Sequence, residues 1–212
     1  MKNIVVLISG SGSNLQAIID ACASGQIQGK ITAVISNRPA VFGLERAAKS
    51  NIPTRIIDHH QFASREAFDA ELIRQIDAAQ AGLVVLAGFM RILSEGFTRH
   101  YQGRLLNIHP SLLPAYKGTH THQRALDDGA GIHGASVHFV TAELDGGPVI
   151  MQAQVPVFES DDADTLARRV LSKEHIIYPK VVEWFCAERL TLVNETVYLD
   201  QQALHKPVLL AE

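Results

Sequence analysis

Asn3-Ile4-Val5-Val6-Leu7-Ile8-Ser9 runs directly into Gly10-Ser11-Gly12-Ser13-Asn14, and Leu15, Ile18, Ile19 and Cys22 follow at helical spacing. A near-continuous apolar run of this length marks a strand covered on both faces of a parallel sheet. The small-residue loop turns the chain, and the spacing beyond it opens a helix. Gly25 and Gly29 punctuate the exit. The alternation then repeats. Residues 31–36 form a second strand, 42–50 a short helix, 54–57 a weak third strand, and 64–79 a helix carrying Phe68, Leu72, Ile73 and Ile76. Leu83 to Ala87 gives a fourth strand ending at Gly88, Leu93 to Tyr101 a short helix, and 104–108 a fifth strand. Strands alternating with helices at this pace make right-handed βαβ units. The expected fold is therefore α/β, a doubly wound, mostly parallel, Rossmann-like sheet.

Past residue 115 the pattern changes. Residues 122–128 read as a helix. His133 to Thr141 and Val149 to Phe158 are two strands around Glu143-Leu144-Asp145-Gly146-Gly147-Pro148, a hairpin-like antiparallel pair closing one side of the sheet. A long helix over 162–187 carries Leu166, Val170, Ile177, Val181 and Phe185 at helical spacing, with Pro179 as a kink. Residues 189–199 are a short strand pair, and the tail is weakly patterned. With no repeat, low-complexity run or linker, the 212 residues read as a single domain with halves of about 1–105 and about 106–212.

The composition, 47% apolar and 19% charged, suits a soluble protein with a substantial core. A net charge of −3 without a basic run argues against a nucleic-acid partner. The N-terminal apolar run stops at Ser9-Gly10, too short for a signal segment or a membrane span. Cys22 and Cys186 form no framework and no metal-spaced pair, and read as buried free thiols. A cytoplasmic protein is expected, a monomer or weak homodimer.

In such a sheet function gathers at the carboxyl ends of the strands. The Gly10–Asn14 loop can bring backbone N–H groups and a helix N-terminus to an anion. A dinucleotide fingerprint would want glycine where Leu15 stands and an acidic residue where Asn37-Arg38 stand, so a single phosphate is favoured over NAD. An ordinary turn with Ser or Asn as cap is the other reading. In Leu106-Asn107-Ile108-His109-Pro110, the amide and the imidazole leave one face of an extended segment. They can hold an oxyanion and move a proton, or serve as a capping Asn and a core His. Asp145 is a turn former, or a carboxylate that folds against His109 and favours its imidazolium. His120-Thr121-His122 would put two imidazoles on one face if extended, but no further ligand lies nearby, so no metal is expected. His138 reads as a strand residue beside the site, His59 and His60 as solvated loop residues, and Lys173 and Glu174 as solvated helix charges.

Four stretches together resemble one family: Ser9 to Ala17, Leu86 to Leu93, Asn107 to Pro114, and Gly134 to Val140 running into Leu144 to Pro148. The set is similar to the phosphoribosylglycinamide formyltransferases, the folate-dependent transformylases of purine synthesis, and spans nearly the whole chain. The later motifs are common to folate formyl transferases, whereas the Ser-Gly-x-Gly-Ser-Asn loop points to the glycinamide ribonucleotide branch. The resemblance implies formyl transfer from 10-formyltetrahydrofolate, as co-substrate, to the amine of 5-phosphoribosylglycinamide, without a metal. It implies catalytic roles for Asn107, His109 and Asp145. Gly12, Ser13, Asn14 and Glu174 would bind the ribonucleotide. Arg65, Met90, Arg91, Ile92, Leu93, Asn107, Val140, Thr141, Ala142, Glu143, Leu144 and Asp145 would bind folate in the second half and around the fourth strand. Ser11 stands where relatives often have Asn, and Ala142 where they often have Asp. Two alternatives remain at this point. One is a formyltetrahydrofolate deformylase, expected to carry an extra N-terminal domain where Met1 here leads straight into a strand. The other is a non-catalytic nucleotide-binding module, which would leave Asn107, His109 and Asp145 idle.

Overall fold

A computed structural model describes residues 1–211. Strand β1 (Lys2–Ile8) lies inside the main sheet, and Ile4 through Ile8 have no solvent exposure. Side chains alternate across a strand, so Ile4, Val6 and Ile8 enter one apolar core while Val5 and Leu7 enter the other. Burial on both faces is why the run carries no polar residue. There follow α1 (Ser13–Ala23), β2 (Gly29–Ser36), α2 (Phe42–Lys49), β3 (Thr54–Ile56), α3 (Arg65–Ala78), β4 (Leu83–Leu86), α4 (Glu95–His100) and β5 (Leu105–His109). Leu15 and Ile18 of α1 and Ala47 of α2 pack into the first core; Phe68 and Leu72 of α3 and Phe97 of α4 pack into the second. The strands run parallel in the order β3-β2-β1-β4-β5. The chain steps outward from β1 to β3 and returns through α3 to the other side of β1. The order thus reverses between β1 and β4, and the loops leaving these strands diverge around a crevice at their carboxyl ends.

The second half completes the sheet. After α5 (Thr121–Asp127), β6 (Ile132–Phe139) pairs antiparallel with β5, and β7 (Val149–Pro156) antiparallel with β6. This is the expected pair closing one side. Helix α6 (Ala163–Cys186) runs on through Pro179, capped by Asp162, whose carboxylate accepts the Thr165 N–H at 2.7 Å. β8 (Leu190–Val193), β9 (Thr196–Leu199) and β10 (Gln202–Ala203) form a separate antiparallel sheet. The tail holds two elements its sequence did not announce: β10, which pairs with β9, and β11 (Val208–Leu209), which adds a parallel edge to β7. Two residues are too few to show a period. Among the described residues no helix is long and apolar enough to cross a membrane.

His120-Thr121-His122 does not take the extended form that would put both rings on one face. His120 sits just outside α5 at φ 56°, and Thr121 begins the helix. Each helical residue turns the side-chain direction by about 100°, so the two rings part. His120 is exposed, while His122 turns inward and its Nδ1 shares a hydrogen bond of 3.2 Å with Nε2 of the buried His133 on β6. Burial, and then the neighbouring His122, hold His133 down at a pKa of about 4.

Two measurements follow from these contacts. The buried Tyr178 of α6 gives its hydroxyl to the carbonyls of Leu86 (2.9 Å) and Leu106 (3.1 Å), bridging β4 and β5 from the helix side. Tyr178→Phe should lower the urea-unfolding free energy by about 1–2 kcal/mol, the cost of removing a buried hydrogen-bonded hydroxyl. An unchanged midpoint and slope would show the bridge to be dispensable. The unfolded chain takes up a proton on His133 as pH falls through 6.5, and the native chain only near 4. Stability from the neutral ring is thus complete above pH 6.5 and drains away towards about 4. Thermal melts should show the parent losing stability faster than His133→Gln across that window; parallel curves would contradict the assignment.

Candidate active site

Leu106 and Ile108 of β5 point into the first core, so Asn107 and His109 leave the opposite face together, as the alternation requires. The antiparallel register sets their neighbours: Asn107 faces His138, and His109 faces Ser136. The Asn107 amide donates through Nδ2 to His138 Nε2 at 3.1 Å. His138 Nδ1 donates to the Phe139 carbonyl at 2.8 Å, which fixes the tautomer so that Nε2 accepts. Burial lowers the His138 pKa and keeps this ring neutral. His109 is 5% exposed, and its Nε2 donates to the Tyr116 carbonyl at 2.9 Å.

The loop after β6 leaves the sheet at the level of Leu105, to whose carbonyl Val140 N–H donates at 3.0 Å. It then folds back over the face carrying Asn107 and His109. Asp145 sits in the left-handed region at φ 48°, which a short polar side chain tolerates better than most. Its Oδ2 lies 3.5 Å from His109 Nδ1 and accepts the Gly118 N–H at 2.8 Å. Its Oδ1 lies 3.9 Å from His138 Nε2. The structure therefore brings Asn107, His109 and Asp145 together, and the contact that sequence spacing alone did not establish is present. Both nitrogens of His109 face oxygen atoms, Asp145 Oδ2 on one side and the Tyr116 carbonyl on the other.

Gly12 closes the loop after β1 at φ 69°, and Ser13 and Asn14 open α1. Leu15 is fully buried, filling the place where a dinucleotide loop would need space. Asn14 donates through Nδ2 to Glu174 Oε2 at 2.7 Å. Asn14 Oδ1 is buried with no partner among the described residues. Glu174 does not behave as a solvated helix charge: it is 6% exposed, and burial raises its pKa against the lowering effect of the Asn14 amide. The error came from reading a charge by residue type, when α6 turns this side chain inward against α1. A cleft of about 670 Å³ adjoins Ser13 and continues between α1 and α6, bordered by Gln16, Arg46, His175 and Pro179.

The segment after β4 is anchored at the reversal point, where Met90 N–H donates to Ser9 Oγ at 2.8 Å. Ser9 Oγ in turn donates to the buried Asn37 Oδ1 at 2.6 Å. Leu93 is buried, whereas Met90 (68%) and Ile92 (59%) stand exposed beside the crevice. Across it, Val140 and Thr141 are half-buried and Ala142, Glu143 and Leu144 exposed. The Arg91 guanidinium lies 6.0 Å from the Phe68 ring. Arg65 is less closely tied: it is exposed at the start of α3, one turn before Phe68, and its recorded partner is the adjacent Glu66.

Sequence reasoning passed over Ser136 and Tyr116. Ser136 is wholly buried, donates to the Ser111 carbonyl at 2.6 Å and accepts the Leu113 N–H at 3.0 Å, fixing the turn beyond His109. Tyr116 acts through its backbone. Neither carries a local signal: Ser136 is placed by the register of β6 on β5, and Tyr116 by the path of the loop after β5.

The chain matches the formyl transferase family model over residues 2–182. It is 58% identical over 95% of its length to phosphoribosylglycinamide formyltransferase of Escherichia coli K12, with 95% of that protein covered. It is 46% identical to the Haemophilus influenzae protein of the same name, over 97% of both chains. The solved structure of phosphoribosylglycinamide formyltransferase from Coxiella burnetii superposes with a TM-score of 0.95 at 51% identity, covering 99% of each chain. A family match over most of the chain, relatives matched end to end and a shared fold lead to one conclusion: this chain belongs to the formyl transferase family.

Proposed function

We propose that this chain transfers the formyl group of 10-formyltetrahydrofolate to the amine of 5-phosphoribosylglycinamide, giving formylglycinamide ribonucleotide and tetrahydrofolate in purine synthesis. The observation that carries the reading is the meeting of Asn107, His109 and Asp145, with His109 Nδ1 3.5 Å from the carboxylate. The substrate amine attacks the formyl carbon, a C–N bond forms, and the carbonyl oxygen becomes an oxyanion. One Asn107 amide proton is engaged by His138, leaving the second for that oxygen, a contribution typically of about 3 kcal/mol. The C–N10 bond then breaks. His109 supplies the proton that N10 needs, the attacking amine loses one, and the balance is a formyl group exchanged for a proton. Asp145 holds the imidazole in place and compensates its charge. His109 Nε2 is bonded to the Tyr116 carbonyl, so the acid step requires that bond to open.

Gly12, Ser13 and Asn14 take the phosphate at the start of α1, and Asn14 with its partner Glu174 lies on the ribonucleotide side. Met90 to Leu93, Val140 to Asp145, Arg65 and Asn107 take the folate: the exposed apolar side chains suit a flat ring, and the arginines suit its carboxylates. No protein nucleophile is used. Burial pushes the Cys22 and Cys186 thiols up to about 11, so both are protonated at neutral pH. The reading takes residues 1–212 as one working domain in the cytoplasm, monomeric or weakly dimeric, with no bound metal.

Single-turnover formyl transfer with both substrates tests the assignment. His109→Ala and Asp145→Ala should each slow the transfer by about a hundredfold or more; rates within about threefold of the parent would remove both from the mechanism. Formate release without the ribonucleotide, at the same rate as with it, would indicate hydrolysis instead. In steady state, Asn14→Ala should raise the KM for the ribonucleotide well above any change in the folate KM, and equal changes would contradict the phosphate loop.

A further inference from the structure

The loop between β1 and α1 is held from behind by α2. The Gly43 N–H donates to the Gly10 carbonyl at 3.1 Å, and Arg46 Nε donates to the Ser11 carbonyl at 2.9 Å. Residues three apart lie on one face of a helix, so a single face of α2 grips two successive peptides. In a trans peptide the C=O and the following N–H point in opposite directions. Fixing the Gly10 and Ser11 carbonyls towards α2 therefore turns the Ser11 and Gly12 N–H groups away from it. The grip is close. A Cβ on Gly12 would come within 2.6 Å of the Gly43 Cα, and one on Gly43 within 3.1 Å of the Gly10 carbonyl oxygen. The Arg46 side chain is fixed as well: Nη1 donates to Gln16 Oε1 at 3.3 Å, and the guanidinium lies 4.6 Å over the Phe42 ring. Its charge stands beside Ser13 at the positive end of α1.

We infer that Arg46 is a positioning residue for phosphate recognition: it aims the Gly12 N–H by locking the Ser11–Gly12 peptide, and it adds a fixed positive charge behind the anion. The inference rests on the proposed reading that this loop receives the substrate phosphate. A residue that served the fold alone would affect all substrates alike. Arg46 affects only the phosphorylated one.

The experiment compares the parent, Arg46→Met and Arg46→Lys. Formyl transfer is measured with 5-phosphoribosylglycinamide and with its dephosphorylated riboside at saturating 10-formyltetrahydrofolate, and inorganic phosphate is titrated calorimetrically into each protein. Arg46→Met should raise the KM for the phosphorylated acceptor about tenfold to a hundredfold, the range for losing a charge-assisted hydrogen bond. The kcat and the folate KM should stay within about twofold, the riboside should be used equally by parent and variant, and Arg46→Lys should fall between. Phosphate should bind the Met variant correspondingly more weakly. Equal losses for riboside and ribonucleotide, or a shift in kcat alone, overturn the inference. If the Met variant does not fold, the Lys variant carries the same comparison. A parent that transfers no formyl group removes the proposed reaction; the phosphate titration then decides the role of Arg46, and equal binding by parent and variant, or binding by neither, overturns it.

Discussion

Asp145 is held between two loops that otherwise run apart. One follows β5 and the other follows β6, and the carboxylate joins them by accepting the Gly118 N–H while facing His109. A largely buried carboxylate is costly unless its oxygens find donors. Here one oxygen accepts the Gly118 amide and faces the His109 imidazole, while the other lies 3.9 Å from His138 Nε2, which is occupied by the Asn107 amide. The group therefore cannot be moved without loosening the loops that define the crevice. Charge-assisted contacts of this kind fix geometry as well as energy. On the proposed mechanism, the residue that steadies the proton donor is also the residue that closes the site.

The sheet was legible in the sequence because parallel strands buried on two faces cannot hide. Ile4 to Ile8 and Leu83 to Ala87 have no polar residue to blur the reading, and the helices between them show their apolar stripe. The site was legible in part. Asn107 and His109 announce a shared face through alternation alone, and Pro110 marks where the strand must end. Their partners carry no such signal. His138 and Ser136 are set opposite them by the register of β6, which a one-dimensional pattern does not encode. Glu174 was read as solvated because residue type was weighed without knowing where the helix turned the side chain. β10 and β11 were missed because two residues have no period.

On the proposed reading, the loop after β1 shows how a fold can prepare a phosphate site with atoms that never touch a ligand. A Gly-rich loop is flexible by composition, and flexibility would scatter its N–H groups. The α2 face removes that freedom peptide by peptide, through the Gly43 amide and the Arg46 side chain. Glycine is then required for close packing of the loop on the helix more than for mobility. An alternation of small residues in the sequence points to the loop, but the element that orders it lies thirty residues downstream.

Formyl transfer without a protein nucleophile depends on holding two substrates at a fixed separation. On the proposed reading the phosphate loop follows β1 and the transfer residues lie on β5, and α6 touches both. Glu174 meets Asn14 at the start of α1, and one turn later Tyr178 gives its hydroxyl to the Leu106 carbonyl, next to Asn107. These side chains project from the same helix face four residues apart, so one rigid element contacts both ends. A rigid helix is a better spacer than either loop, whose backbone could relax. The buried position of Glu174 follows from this: to span from α6 to the loop, its carboxylate has to cross the packed interface with α1, and the Asn14 amide is the donor that makes that burial tolerable.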